Sequence, residues 1–213
     1  MNKILAAASA LTLATAALAG DIQLPAPTKT GGKPLADALA ERKTIRDFST
    51  APLTDQELSD LLWAANGFNR ADEKKRTAPT AVNRQEIDLY VCRADGAYLW
   101  DSAANVLKQV SDKDLRDFTG RMGSPDNFAL VAPVAIVYVV DYERQGIQDR
   151  PQDAFKYACI DCGFIGQNIY LHAASSGLGT VILGMINPKE LSAGLGLTAK
   201  RVPLFAQTVG HVK

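Results

Sequence analysis

Apolar positions change period several times along the chain, and each change marks an element. Val134 to Val140 is an unbroken apolar, β-branched run, the pattern of a strand buried on both faces. Ile87, Leu89 and Val91 alternate with Asp88, Tyr90 and Cys92, which predicts a strand. Ala97-Tyr98-Leu99-Trp100 reads as its hairpin partner, joined through Asp95-Gly96. Thr180 to Met185 and Leu204 to Val209 predict two more strands. Between these runs the period becomes helical. The longest helix is expected from about Gln152 to Ser176, with Phe155, Ala158, Cys159, Cys162, Ile165, Ile169, His172 and Ala173 at helical spacing and Gly177 as its stop. Thr54 and Glu57 form a capping box ahead of Leu58, Leu61 and Leu62. Pro34 opens a helix with Leu35, Ala38 and Leu39 on one face, and Asn187-Pro188 opens a short one ending near Gly194 or Gly196. Ser111 is read as the cap of a short helix through Phe118, and Asn69 to Lys75 as a polar loop. Strands and helices mix without strict alternation, so the expected class is α+β.

The N-terminus follows other rules. One lysine precedes an uncharged Ala/Leu-rich run from Ile4, which ends in the small-x-small triplet Ala17-Leu18-Ala19. That layout predicts a secretory signal peptide over 1–19. An N-terminal arm is expected over 20–33 and one domain over 34–213. The mature protein would be periplasmic or secreted, with no stable membrane anchor.

Composition narrows the chemistry. Lysine plus arginine and aspartate plus glutamate are both 23, so no basic excess favours nucleic acid. Three cysteines are too few for a disulfide framework. Cys159 and Cys162 form a Cys-x-x-Cys inside the long helix, where cysteines read as apolar fillers rather than as a redox pair. No further ligands at metal-binding spacing accompany them. Glycine-rich dinucleotide and Walker motifs are absent, as is His-Glu-x-x-His.

Two polar clusters remain. In Arg42-Lys43-Thr44-Ile45-Arg46-Asp47-Phe48, an extended chain puts Arg42, Thr44 and Arg46 on one side. Guanidinium forks beside a hydroxyl suit a phosphate or another oxyanion, and a solvated basic turn would have the same composition. In Arg76-Thr77-Ala78-Pro79-Thr80-Ala81-Val82-Asn83-Arg84-Gln85, the side chains of Thr80, Asn83 and Gln85 could hydrogen-bond a planar heterocycle or simply line a polar loop with a proline turn.

These clusters, with Leu53-Thr54 to Gly67 and Cys162-Gly163-Phe164-Ile165-Gly166-Gln167-Asn168 to Thr180, resemble the FMN-dependent nitroreductase superfamily over Leu35 to Lys213. The resemblance is nearest to its azoline-oxidase-like branch. It implies an antiparallel-centred sheet flanked by helices in an intertwined homodimer, with FMN at the subunit interface. Arg42 and Thr44 would meet the flavin phosphate with Lys43 beside them, and Arg46 would approach the N1/O2 edge. Thr80, Ala81 and Asn83 would come from the partner, and Pro79 and Gln85 of the same cluster would also bind the cofactor. Ile182, Leu183 and Gly184 would run past the ring, offering a backbone N–H to N5. Lys213 is the basic residue left to complete the phosphate site. The implied activity is ping-pong transfer of hydride or electrons to a small aromatic or quinone-like acceptor, with no catalytic side chain assigned and no metal. The alternative is a flavin- or ligand-binding module without turnover. Ala158, Gly163, Gly166 and Ala173-Ala174 would let the long helix approach its counterpart across the dimer.

Overall fold

A computed structural model describes residues 20–124 and 127–213, so the signal-peptide expectation lies outside the described residues. The arm begins with β1 (Ile22–Gln23) and runs across the next helices, with the Lys33 amide donating to Ser175 Oγ at 2.8 Å. Then come α1 (Leu35–Glu41), α2 (Asp55–Asn66) and a small hairpin of β2 (Phe68–Arg70) and β3 (Lys75–Arg76). The strands β4 (Ile87–Arg93), β5 (Gly96–Asp101) and β6 (Val106–Ser111) follow as a meander. Next are α3 (Phe128–Val131), β7 (Val134–Asp141), α4 (Tyr142–Gln145) and the 26-residue α5 (Pro151–Ser176). β8 (Leu178–Leu183), α6 (Pro188–Gly194) and β9 (Arg201–His211) close the chain. Seven strands make one sheet in the order β1-β6-β5-β4-β7-β9-β8, and every neighbouring pair is antiparallel.

The continuous apolar run of β7 is explained by its central place. Val134, Ile136, Tyr138 and Val140 face a core shared with α2 and α5, while Ala135, Val137 and Val139 face a second core closed by Leu191 of α6 and by Leu115. Both faces are covered, so alternation disappears even though the sheet is antiparallel. The α+β expectation is met.

Two local expectations fail. Ser111 does not cap a helix: it is the last residue of β6, paired with Ala97, and a single 3₁₀ turn forms later at Arg116–Thr119. Pairing with β5 satisfies the backbone of this edge, which a cap could not do for a segment so short. Residues 69–75 are not an open loop, because β2 and β3 pair there around a 3₁₀ turn. Strand pairing supplied by the fold outweighs the polar composition.

The capping box is formed in full. The Thr54 side chain accepts from the Glu57 amide, and the Glu57 carboxylate accepts from the Thr54 amide at 2.8 Å. Thr54→Ala should cost about 0.5–2 kcal/mol, read as a lower midpoint in urea with an unchanged slope.

α5 has two unlike faces. Ala154, Ala158, Cys162, Ile165, Gly166, Ile169 and Ala173 are buried against the sheet and α2. Phe155 is 53% exposed, and Ile160 and Phe164 are also exposed. Gly177 ends the helix in the left-handed conformation, φ 76°, that glycine adopts without a Cβ clash.

Candidate functional site

After α1 the chain is extended from Arg42 and lies along β8, the terminal strand of the sheet. The Ile45 amide donates to Thr180 O at 3.0 Å, and the Ser49 amide donates to His211 O at 2.9 Å. Phe48 bridges Val212, and the Lys213 amide donates to Asp47 O at 3.3 Å. This close approach depends on Gly179: a Cβ there would sit 2.9 Å from Ile45 Cγ2.

Tyr170 of α5 is the hub of the segment. Its hydroxyl lies 3.2 Å from Thr44 Oγ1 and accepts the Ile182 amide at 3.2 Å. The Arg42 guanidinium stands over its ring, 5.4 Å from the centroid. Thus Arg42 and Thr44 meet Ile182, far away in sequence, at one phenol. Lys43 and Arg46 are exposed on the same segment. Among the described residues no carboxylate pairs with Arg42, Lys43 or Arg46. The segment thus carries three cations without an ion-pair partner and one hydroxyl, a composition that suits an oxyanion. The Ile182 amide is already used by Tyr170. Gly184 follows directly after the end of β8.

Sequence reasoning missed Tyr170. The available signal is its position one turn after Gly166, a phenol where the neighbouring core positions are aliphatic. Tyr170→Phe keeps the ring under Arg42 and leaves the Ile182 amide without its acceptor. A loss of about 1–3 kcal/mol is expected in thermal or urea unfolding.

The second cluster occupies a separate place. Thr80 Oγ1 donates to Glu86 Oε2 at 3.1 Å and accepts the Gln85 amide at 3.1 Å. Gln85 Nε2 donates to Lys74 O at 2.6 Å, and Arg76 Nε donates to Gln85 Oε1 at 2.7 Å. Asn83 Nδ2 donates to Lys74 O at 3.3 Å. Val82, Asn83 and Gln85 have φ of 47°, 58° and 53°, a left-handed run that is costly for non-glycine residues and most of all for β-branched Val82. Pro79 and Ala81 complete the turn, and Val82 at its tip is 81% exposed. No hydrogen bond or ion pair among the described residues joins this turn to the Arg42–Arg46 segment.

One expectation about α5 is corrected. Gly166 does not face outward: a Cβ there would lie 3.1 Å from Ile182 Cδ1 and 3.3 Å from Gln207 Oε1 of the same chain. Its small size serves helix-on-sheet packing. Ala158 and Ala173 are likewise buried, whereas Gly163 has open space around it.

The remaining reactive side chains are quiet. Burial raises the Cys159 and Cys162 thiols and pushes Cys92 up to about 12, so all stay protonated. Burial lowers the His172 pKa and favours a neutral imidazole. Among the described residues no cluster of His, Cys, Asp and Glu could hold a metal, and no helix is long and apolar enough to cross a membrane.

The Nitroreductase family matches residues 39–211. A Methanocaldococcus jannaschii protein bearing the nitroreductase name is 30% identical over 83% of this chain and 90% of its own. A Ralstonia eutropha crystal structure under the same name superposes with TM-score 0.82 at 35% identity, covering 91% of this chain and 90% of that one. The NADPH:FMN oxidoreductase of Vibrio harveyi shares the fold, with TM-score 0.61 at 20% identity over 84% of this chain and 69% of that one. By a family match over residues 39–211, and by a relative 30% identical over 83% of its length, the chain belongs to the nitroreductase family.

Proposed function

We propose that the protein is an exported, homodimeric FMN-dependent oxidoreductase that passes hydride or electrons, in a ping-pong cycle, to a small aromatic or quinone-like acceptor. The observation that carries this reading is Arg42 over the Tyr170 ring and the Thr44 hydroxyl beside its phenol, with Lys43 and Arg46 exposed on the same segment and without ion-pair partners among the described residues. The residues fit the cofactor. Arg42, Lys43 and Thr44 supply charge and a hydrogen bond for a phosphate. Arg46 supplies a positive charge for the pyrimidine edge of a flavin, where it would favour the anionic reduced form. Gly184, just past the end of β8, would offer its backbone N–H to N5. Lys213 is held beside the segment through its backbone, leaving its ammonium free to reach the phosphate. When bound, FMN supplies the redox chemistry, accepting and then releasing two electrons. The protein's part is to hold it, bias its charge and exclude water.

Several observations favour completion of the pocket by a second chain. The cavity beside Lys43, Ile45 and Tyr170 is about 190 Å³. That is below the roughly 300–1,000 Å³ of ordinary cofactor pockets. Pro79, Thr80, Ala81, Asn83 and Gln85 lie on a turn that its own chain leaves unconnected to Arg42–Arg46. Val82 at the tip of that turn, Leu35 and Leu39 of α1, and Phe155, Ile160 and Phe164 of α5 are apolar and exposed. Such surface suits burial in an interface. The FMN named for the Vibrio harveyi relative agrees with the reading. Export rests on the pattern of residues 1–19, and N-terminal sequencing of secreted protein should begin at Gly20. The azoline-oxidase-like branch remains the nearest resemblance by motif.

The test is direct. Purified protein mixed with FMN should acquire a protein-bound flavin spectrum. A supplied reductant should bleach it, and a nitroaromatic or quinone should restore it over many cycles. A protein that takes up no FMN defeats the proposal. Bound flavin without turnover leaves only the binding module.

A further inference from the structure

A second group of cations lines a cavity where the β2–β3 hairpin meets the start of β4 and the end of β5. The cavity holds about 290 Å³, and its charged walls are Arg76, Lys108, Arg144 and Arg201 with Asp88 and Asp101. Each carboxylate is already engaged. Asp88 accepts from Arg144 Nη2 at 2.6 Å on one oxygen and from Arg201 Nη2 on the other. Asp101 Oδ2 accepts from Lys108 Nζ at 2.7 Å. The one further acid in ion-pair contact with the group, Asp141, lies 3.5 Å from Arg201 Nε. Four cations thus meet three carboxylates, an excess of one positive charge. The cation left over is Arg76, which has no ion-pair partner among the described residues.

Arg76 is held in place rather than loose on the surface. Its guanidinium stands over the Phe68 ring, 4.3 Å from the centroid. Nε donates to Gln85 Oε1, and Nη1 donates to Asn66 O at 2.6 Å and to Ser102 Oγ at 2.8 Å. These acceptors are neutral, so they fix the fork and leave its charge uncompensated. Nη2 makes no hydrogen bond among the described residues. Burial, and after it the nearby Arg144 charge, lower the Arg76 pKa from its usual value, but a guanidinium stays protonated at neutral pH. A half-buried cation beside a second one is costly, and an anion in the cavity would offset that cost. Donors remain for it in Arg76 Nη2 and in Arg201 Nε, which is buried and makes no hydrogen bond.

We propose that this cavity binds a compact organic monocarboxylate, with Arg76 as its principal charge partner. The single excess charge matches a monoanion better than a phosphate dianion. The half-buried apolar side chains of Phe68 and Leu99 on the cavity wall suit an organic body. The volume lies at the lower end of small-molecule sites, which favours a compact ligand over a nucleotide. Arg42, Lys43, Arg46 and Lys213 do not line this cavity, so the site is independent of the flavin reading.

Sodium benzoate and sodium butyrate are the probes, titrated calorimetrically into the flavin-free protein at constant ionic strength. At least one should bind saturably at one site, and benzyl alcohol, a neutral counterpart, should not compete. Arg76→Met keeps an apolar stem over Phe68 and removes the charge, so affinity should fall about 10–100-fold. If that variant does not fold, Arg144→Gln carries the test. Arg144 is partly exposed at the cavity, and its loss removes the excess charge, so affinity should fall about tenfold. No saturable binding of either carboxylate, equal binding of benzyl alcohol, or unchanged affinity in a folded variant overturns the proposal. Inorganic phosphate that binds more tightly than both carboxylates overturns the ligand class. Competition by FMN would place the carboxylate in the flavin site and overturn the separate cavity. A protein that binds carboxylate but no FMN defeats the flavin reading alone.

Discussion

Replacing Arg42 and Arg46 together by alanine is expected to weaken FMN binding about 10²–10⁴-fold while leaving the fold intact. A hydrogen bond to a charged group contributes about 1.5–3 kcal/mol, so two lost guanidinium contacts amount to about 3–6 kcal/mol, and each 1.4 kcal/mol is a factor of ten. The fold should hardly notice. Arg46 is exposed, neither arginine has an ion-pair partner among the described residues, and the stacking of Arg42 on Tyr170 contributes only about 0.5–1 kcal/mol. Arg42→Lys should recover part of the loss, because an ammonium keeps the charge and gives up the planar fork. Flavin fluorescence titration measures the affinity, and thermal melting of the flavin-free protein measures the fold. Unchanged affinity in the double variant would remove these residues from the site. A large fall in melting temperature would instead assign them a structural role.

What the sequence made legible follows from how local each signal is. The capping box, the Asn187-Pro188 start and the Gly177 stop depend on neighbours within a few positions, and all three are formed. The hairpin forms as well, but one residue earlier than expected: Ala94-Asp95 is its turn, and Gly96 already pairs with Arg93 as the first residue of β5. The buried run of β7 was legible as a strand, but its antiparallel central place was not, because covering both faces erases the alternation that would have shown it. The β6 ending at Ser111 and the β2–β3 hairpin depend on partners supplied from elsewhere in the chain, so polar composition misled. The Arg42–Arg46 cluster stood out by its charge. Tyr170 did not, because its importance comes from α5 crossing behind β8.

The two glycines of α5 separate internal packing from association. Gly166→Leu is expected to destabilise the protein by about 3 kcal/mol or more. A Cβ there already presses on Ile182 Cδ1 and Gln207 Oε1, and the rest of a leucine must enter the space between α5 and the sheet. Gln207 is not free to yield. It accepts from Tyr138 Oη and donates to Thr180 Oγ1 at 3.0 Å and to Gly166 O at 3.4 Å. Overpacking costs about 1–3 kcal/mol, and leaving a buried donor or acceptor unpaired adds about 1–3 kcal/mol. In a domain of this size the melting temperature should fall by about 6–12 °C. Ile182 also carries the amide held by Tyr170, so the flavin site should be disturbed as well. Gly163→Leu meets nothing within 4 Å in its own chain. In an isolated chain it should be neutral or slightly stabilising, since leucine is the better helix former by about 0.5–1 kcal/mol. If the exposed face of α5 is the dimer contact, this second change should lower dimer content and FMN occupancy together. Light scattering and calorimetry on both variants discriminate the two roles. A Gly163→Leu protein that remains fully dimeric moves the interface away from this face of α5, and a Gly166→Leu protein that melts like wild type removes the helix-on-sheet contact as the reason for glycine there.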